Sequence, residues 1–290
     1  MKRFALYLAS AILISFLVLF FLFTDKDYMA EKLFYRAKST HSEIMKNPDA
    51  TPPAMSVSVE RDLQKIMRGH PDSELARHSY MALAEFYITE KRYEDAVAII
   101  GAFLSEHEAS GVSLLSKAYF LKGMAYEKKG EWHNAVKEYE ILRDEYHHTP
   151  IGLQSALYIA QRCKGYGNMA ETLKKYEDAI ALYKRLCEEN RGTMLGYSSS
   201  TYLIRSYIET EKYEEAGSIV EANIYDYPTP LVQAQQIPLI ELIFVKKLKD
   251  ADKAVKIYEY LIKNTEDAEF KKLLHNKIKR ANEAKQQTTQ

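Results

Sequence analysis

Few residues in this chain have the type and spacing to do chemistry. His147 and His148 stand side by side in Tyr146-His147-His148-Thr149-Pro150. Two imidazoles supply half of a tetrahedral metal site, but no third ligand at a metal-binding spacing accompanies them, and the pair reads as a solvated loop. Cys163 and Cys187 are too far apart in sequence for a Cys-x-x-Cys-His haem attachment. The chain has no Gly-x-x-x-x-Gly-Lys phosphate loop, no Gly-x-Ser-x-Gly elbow and no His-Glu-x-x-His helix. Carboxylate pairs such as Glu214-Glu215 belong to the outer face of an amphipathic helix. The expectation is a non-enzyme, with no catalytic residue, no metal and no cofactor.

What the chain does repeat is a structural phrase. It reads Arg92-Tyr93-Glu94-Asp95-Ala96, Glu131-Trp132-His133-Asn134-Ala135, Lys175-Tyr176-Glu177-Asp178-Ala179 and Lys212-Tyr213-Glu214-Glu215-Ala216, with a degenerate fifth copy, Asp250-Ala251-Asp252-Lys253-Ala254. The closing alanines are 39, 44, 37 and 38 residues apart, a period belonging to stacked repeats. Each phrase lies between two helical stripes. In the second copy Tyr119, Gly123 and Tyr126 share one helical face, Gly130 breaks the run, and Ala135, Tyr139 and Leu142 form the second stripe. Small residues at Ala84 or Gly123 and at Ala96 or Ala135 let two antiparallel backbones approach. A single hairpin is too small to bury its own apolar face and must stack on its neighbours.

These residues resemble the tetratricopeptide repeat (TPR) over roughly residues 73 to 262. The implied fold is all-α, a TPR-like right-handed helical-hairpin solenoid preceded by one N-terminal transmembrane helix. Copy three departs through Gly165-Tyr166-Gly167-Asn168 and about seven extra residues before Ala179, read as a second helix lengthened by two turns at its start. Copy five has Pro238 in its first helix, a residue that fits a helix only in its first turn.

Residues 4 to 23 form an uncharged apolar run. Twenty helical residues span about 30 Å, the hydrocarbon thickness of a bilayer. Lys2 and Arg3 precede it, and Asp25 and Asp27 follow, so the positive-inside rule places the N-terminus in the cytoplasm. The apolar run exceeds a signal-peptide core and lacks a small-x-small cleavage site, which favours an uncleaved signal anchor. The expected organisation is a membrane helix at 4–23, a degenerate N-terminal hairpin at 25–72, about five repeats over 73–264, a basic capping helix at 265–284 and a frayed tail at 285–290. The expected location is the inner membrane, single-pass, with the repeats in the periplasm or an equivalent lumen.

Lys plus Arg and Asp plus Glu number 40 each, which gives no electrostatic warrant for nucleic acid. The 22 tyrosines, at these spacings, are repeat core rather than base-stacking platforms. Cys163 and Cys187 should lie roughly 20 Å apart along a hairpin, too far for a disulfide, and read as buried thiols.

The resemblance also implies a binding surface, the face of each first helix turned away from the second. Carried over by position, it offers His78, Met81, Glu85 and Ile88 in copy one, and Lys117, Phe120, Met124 and Glu127 in copy two. Copy three offers Gln154, Leu157 and Gln161, and copy four offers Thr201, Arg205 and Ile208. Read so, the groove carries an unusual amount of apolar surface, a mark of binding sites; packing of these residues inside the array is the alternative. The known mode that clamps a C-terminal carboxylate through Lys and Asn is not supported where Met81 and Glu85 stand. The resemblance extends to bacterial envelope TPR proteins of the outer-membrane assembly lipoprotein and Tol–Pal coordinator type, without their lipid-attachment cysteine. It implies protein or peptide partners, a membrane-held scaffold that assembles a larger complex, and no nucleic acid. A self-associating or accessory subunit of an extracytoplasmic enzyme complex and an outer-membrane assembly factor are the alternatives.

Overall fold

The computed structural model describes residues 26–47, 52–166 and 169–288, and all of its regular elements are helices. The chain divides into two compact units, Met1–Ile151 and Gly152–Gln290, each with its own apolar core. The expected membrane helix at 4–23 lies outside the described residues. Among the described residues no helix is long and apolar enough to cross a membrane.

The first unit contains α1 (Lys26–Lys46), α2 (Pro53–Gly69), α3 (Glu74–Thr89), α4 (Tyr93–Glu106), α5 (Val112–Lys129) and α6 (Trp132–Glu145). Each packs on the next, and α1, α3 and α5 also touch one another in sequence. The α1–α2 hairpin is tied by a two-pronged ion pair. Arg36 Nε and Nη2 donate to Asp62 at 2.6 and 2.7 Å, and the Asp62 carboxylate is buried. An isolated buried carboxylate is costly, so the pair sets how α1 docks.

The second unit contains α7 (which begins at Pro150 and ends at Tyr166), α8 (Met169–Glu189), α9 (Met194–Glu209), α10 (Tyr213–Asp226), α11 (Pro230–Ile240), α12 (Ala251–Lys263) and α13 (Ala268–Thr288). A π-helical turn, Glu241–Lys247, continues α11. The helix α8 has 21 residues against 14 in α4, α6 and α10, and the excess precedes Tyr176, so copy three is lengthened at its start by two turns. The helix α13 runs to Thr288, through residues expected to fray.

The closing alanines do what the repeat requires. Ala96, Ala135, Ala179, Ala216 and Ala254 are all 0–1 % exposed. On the facing helix Gly123 leaves room for the Tyr139 ring: a Cβ there would lie 2.5 Å from it. Tyr139 in turn donates its hydroxyl to Glu127 at 3.1 Å, so the ring is held at both ends.

One hairpin turn recurs. Lys91, Gly130 and Glu211 each lie in the left-handed region, two residues before Tyr93, Trp132 and Tyr213. The next N–H reaches back to a tyrosine carbonyl: Arg92 to Tyr87 at 2.8 Å, Glu131 to Tyr126 at 2.9 Å, Lys212 to Tyr207 at 2.9 Å. With Lys91, Gly130 and Glu211 also donating to Ile88, Glu127 and Ile208, each is a complete Schellman closure. Between hairpins a hydroxyl residue caps the next helix. Ser73, Thr149 and Thr193 each donate both N–H and Oγ to the carbonyl three residues back, at 2.7–3.1 Å.

Copy five breaks the pattern, and there the expectation for Pro238 fails. Pro238 sits in the interior of α11 rather than its first turn, because the helix already starts at Pro230 behind the Thr229 cap. Proline has no N–H to give the carbonyl four residues earlier and its ring crowds that carbonyl. The helix accommodates it with Pro238 on the exposed side and then widens into the π turn, closed by Leu248 N–H donating to the Ile243 carbonyl at 2.8 Å.

Candidate functional site

The first helices of the repeats, α3, α5, α7 and α9, carry the positions proposed for binding, and the structure sorts them by angle. In α3 the side chains reaching the open face are His78, Ala82, Glu85 and Thr89, spaced by four, three and four, while Met81 and Ile88 are buried at 1 % and 6 %. One residue along a helix is a rotation of about 100°, and that carries Met81 off the face into the apolar core of the first unit.

The equivalent positions behave consistently. Glu127 is buried beneath the Tyr139 hydroxyl, and Leu157 is 2 % exposed within the core of the second unit. Phe120 and Met124 are half-buried: Phe120 packs 6.2 Å from Tyr139, ring centre to ring centre, and Met124 leans on the first unit's core. Ile208 is half-buried against the second unit's core, while Gln154, Thr201 and Arg205 are exposed. The expected apolar groove wall is therefore mostly interior, and the open faces are polar. Packing won because each of Met81, Ile88 and Leu157 can bury an apolar side chain, worth roughly 1.5–3 kcal/mol apiece, by a small choice of helix rotation.

In the first unit the open face is laced across repeats. Lys117 Nζ lies 2.7 Å from Glu85 Oε1, joining α5 to α3, and both side chains are about 40 % exposed. His78 Nε2 lies 3.5 Å from Glu74. Next to Thr89, His41 of α1 extends the same face: its Nε2 is 3.1 Å from Thr89 Oγ1 and its ring meets Phe86 edge-on. Burial lowers the His41 pKa below its ordinary value and outweighs the Glu85 and Glu90 carboxylates, which act the other way. Sequence reading missed Ala82, Thr89 and His41; the four-three-four spacing from His78 was the available signal for the first two.

In the second unit the focus is Glu209, at the end of α9. Gln161 Nε2 donates to its Oε1 at 3.5 Å, Lys164 Nζ to Oε2 at 3.3 Å and the Tyr176 hydroxyl to Oε2 at 3.4 Å. Burial and the Glu209 carboxylate push the Tyr176 hydroxyl up to about 12, so it remains a donor at neutral pH. A third network lies at the first hairpin turn. Arg92 stacks on the Tyr87 ring at 4.3 Å and donates to Glu60 at 2.7 Å, while Tyr87 donates to the same carboxylate at 2.8 Å. Burial alone would raise Glu60, but the bonds from Arg92 and Tyr87 prevail and hold it below the usual range.

None of these arrangements places a nucleophile beside a base, and among the described residues no three His, Cys, Asp or Glu side chains are grouped to hold a metal. His147 and His148 touch edge to face at 5.9 Å, and His147 Nδ1 is 3.2 Å from the Asp144 carbonyl. Cys163 and Cys187 are both free thiols, and burial pushes Cys187 up to about 11, away from reactivity.

Comparison with known proteins agrees with this picture of hairpins. Residues 117–147, which span most of α5 and all of α6, match the tetratricopeptide repeat family. No curated protein matches the sequence. Among solved structures, a tetratricopeptide repeat protein from Parabacteroides merdae ATCC 43184 is 16 % identical, covering 88 % of this chain and 89 % of its own, with a TM-score of 0.40. The Cut9–Hcn1 hetero-tetramer of the APC/C is 11 % identical over 90 % of this chain and 56 % of its own, at 0.30. The nuclear import adaptor Nro1, a hypoxic regulator of sterol synthesis, is 14 % identical over 91 % and 89 %, at 0.31. At such identities and scores the fold rests on the helices described above, and those define a TPR-like architecture of stacked helical hairpins.

Proposed function

We propose that this protein is a membrane-anchored scaffold that holds a protein or peptide partner on the open faces of its first helices, in the periplasm or an equivalent lumen, and performs no reaction of its own. The observation that carries the reading is the face built by His78, Ala82, Glu85, Thr89 and Lys117, in which a cross-repeat ion pair leaves donors and acceptors side by side in water. Such a surface suits an extended, polar segment bound through hydrogen bonds and charge, with Phe120 and Met124 giving a small apolar footing. The apolar run at 4–23, flanked by Lys2 and Arg3, supports the anchor and its direction. A complex-organising role follows from the same reading, since an anchored binding face fixes its partner at the bilayer.

Site-specific photocrosslinking in cells from positions 78, 82 and 89, all on the open face of α3, tests the binding face, with the exposed Glu259 on α12 as control. Crosslinks to one protein from the first three positions, lost in Lys117→Glu, are the expected result. Equal labelling from Glu259, or capture unchanged by Lys117→Glu, would remove the face from consideration. Protease added to cells with a permeabilised outer membrane should digest the repeats; protection would reverse the topology.

A further inference from the structure

The second unit contains a cavity that the partner-holding reading does not use. It lies between the π turn, α12 and α13 and has a volume of about 270 Å³. Four cationic side chains line it: Lys246 from the π turn, Lys249 from the turn that follows, and Lys277 and Arg280 from α13. One carboxylate, Glu241, stands among them. It accepts from Lys277 and lies 3.6 Å from Lys246, which leaves Lys249 and Arg280 without an ion pair among the described residues. In a chain with 40 basic and 40 acidic residues, a local excess of three positive charges is not a by-product of composition. Like charges brought together around a concavity repel unless an anion lies between them.

A second observation, of a different kind, points into the same cavity. Tyr258 of α12 lines it, is 1 % exposed, and its hydroxyl has no hydrogen-bond partner. It is the one tyrosine among the described residues left in this condition. The others buried to a similar degree are satisfied: Tyr139 donates to Glu127, Tyr176 to Glu209 and Tyr183 to the Leu153 carbonyl at 2.7 Å. Buried polar atoms without partners are rare enough that each calls for a specific reason. Burial, with the Glu241 charge, keeps the Tyr258 hydroxyl protonated well above neutral pH, so it can only serve an incoming group as a donor or as a weak acceptor.

We infer that this cavity is an anion site that takes a phosphate group, with Lys246, Lys249, Lys277 and Arg280 supplying charge and the Tyr258 hydroxyl supplying one directed hydrogen bond. A dianion matches the surplus of charge better than a carboxylate, and a tetrahedral oxyanion can accept from an O–H, an ammonium and a guanidinium together. The π turn has a place in this. Wide turns of this kind recur at functional sites, and this one brings Lys246 within 3.6 Å of Glu241 on the cavity's lining, with Lys249 just beyond it. The phosphate can be that of a soluble monoester or of an anionic lipid headgroup; the chemistry of recognition is shared.

The test uses the purified full chain in detergent at low ionic strength, titrated calorimetrically with inorganic phosphate and with glycerol phosphate. A parallel arm measures co-flotation with phosphatidylcholine vesicles with and without phosphatidic acid. One saturable equivalent is expected in at least one arm. Tyr258→Phe, which keeps the ring and removes only the hydroxyl, should weaken binding about tenfold, as loss of a hydrogen bond to a charged group requires. Lys246→Gln with Arg280→Gln should abolish it, and all variants should unfold in phosphate-free buffer as cooperatively as the parent. Binding confined to phosphatidic acid vesicles and weakened by Tyr258→Phe assigns the phosphate to a lipid; binding of the soluble probes assigns it to a free ligand. Absence of binding in both arms, or binding indifferent to Tyr258→Phe, overturns the inference.

Discussion

The second and fifth hairpins show two ways of ending up with stacked helices. The second, α5 with α6, has small residues where backbones meet, a glycine at its left-handed turn and a tyrosine fixed at both ends. The fifth, α11 and its π turn with α12, has Pro238 in mid-helix and Lys249 at φ 57°. Yet Ala254 is as buried as Ala135. The shared requirement is close contact at the closing alanine; the backbone around it can vary as long as that contact survives. Regularity in the second hairpin gives rigidity, and irregularity in the fifth opens a cavity.

Substitutions can sharpen the contrast. Gly123→Val should cost about 3 kcal/mol, because the added carbons meet a Tyr139 ring that cannot swing away. Urea unfolding followed by the fluorescence of Trp132, in the same hairpin, would measure it; an unchanged midpoint would show that the seam is loose. In the fifth hairpin the sign reverses. Pro238→Ala removes an exposed, helix-interrupting ring and should stabilise the second unit by about 2 kcal/mol. Slower amide exchange across residues 230–247 is the readout, and faster exchange would mean that the π turn depends on the proline.

The turns give a smaller, paired effect. Gly130→Ala should cost about 1 kcal/mol through left-handed strain alone, since nothing lies within 4 Å of the new Cβ. Lys249→Gly should gain up to about 1 kcal/mol for the converse reason. Melting scans of both variants test the pair, and shifts of the same sign would refute the shared geometry.

Acid separates the two units most gently. The pKa of His41 is lowered, so on acidification the unfolded chain takes up its proton near pH 6.5 before the folded chain does. Its contribution is complete above that pH and is lost as pH falls through the folded value. Glu241 in the second unit is held below the ordinary 4.5, chiefly by its bond from Lys277, so its contribution persists until pH drops below about that value. Amide protection factors, which divide out the slower intrinsic exchange at lower pH, should therefore fall in α1 and α3 between pH 7 and 5 before they do in α11. In His41→Gln that early change should disappear.

The repeated phrase, its closing alanines 37 to 44 residues apart, and the helical stripes on either side of it were enough to read the hairpins. Even the lengthened helix in copy three was visible as extra residues before Tyr176. The open face was legible only in part. Apolarity marks a core position and a binding position alike, and choosing between Met81 and Ala82 requires knowing which neighbour covers the helix, which is tertiary information. Position by position, His78, Glu85, Lys117, Gln161 and Arg205 fall on open faces, whereas Met81, Ile88, Glu127 and Leu157 do not. The Tyr258 cavity had no local signature, since its meaning lies in a hydroxyl that meets no partner once three elements converge.

The left-handed turns at Lys91, Glu211 and Lys249 have a consequence for how this chain can change over generations. All three are exposed, and none contributes a side chain to either core. Each is a place where one replacement by glycine relaxes the backbone and moves no buried atom. Drift in the seams, where most replacements do harm, can thus be compensated at a distance, which lets the repeats diverge in sequence while their stacking persists.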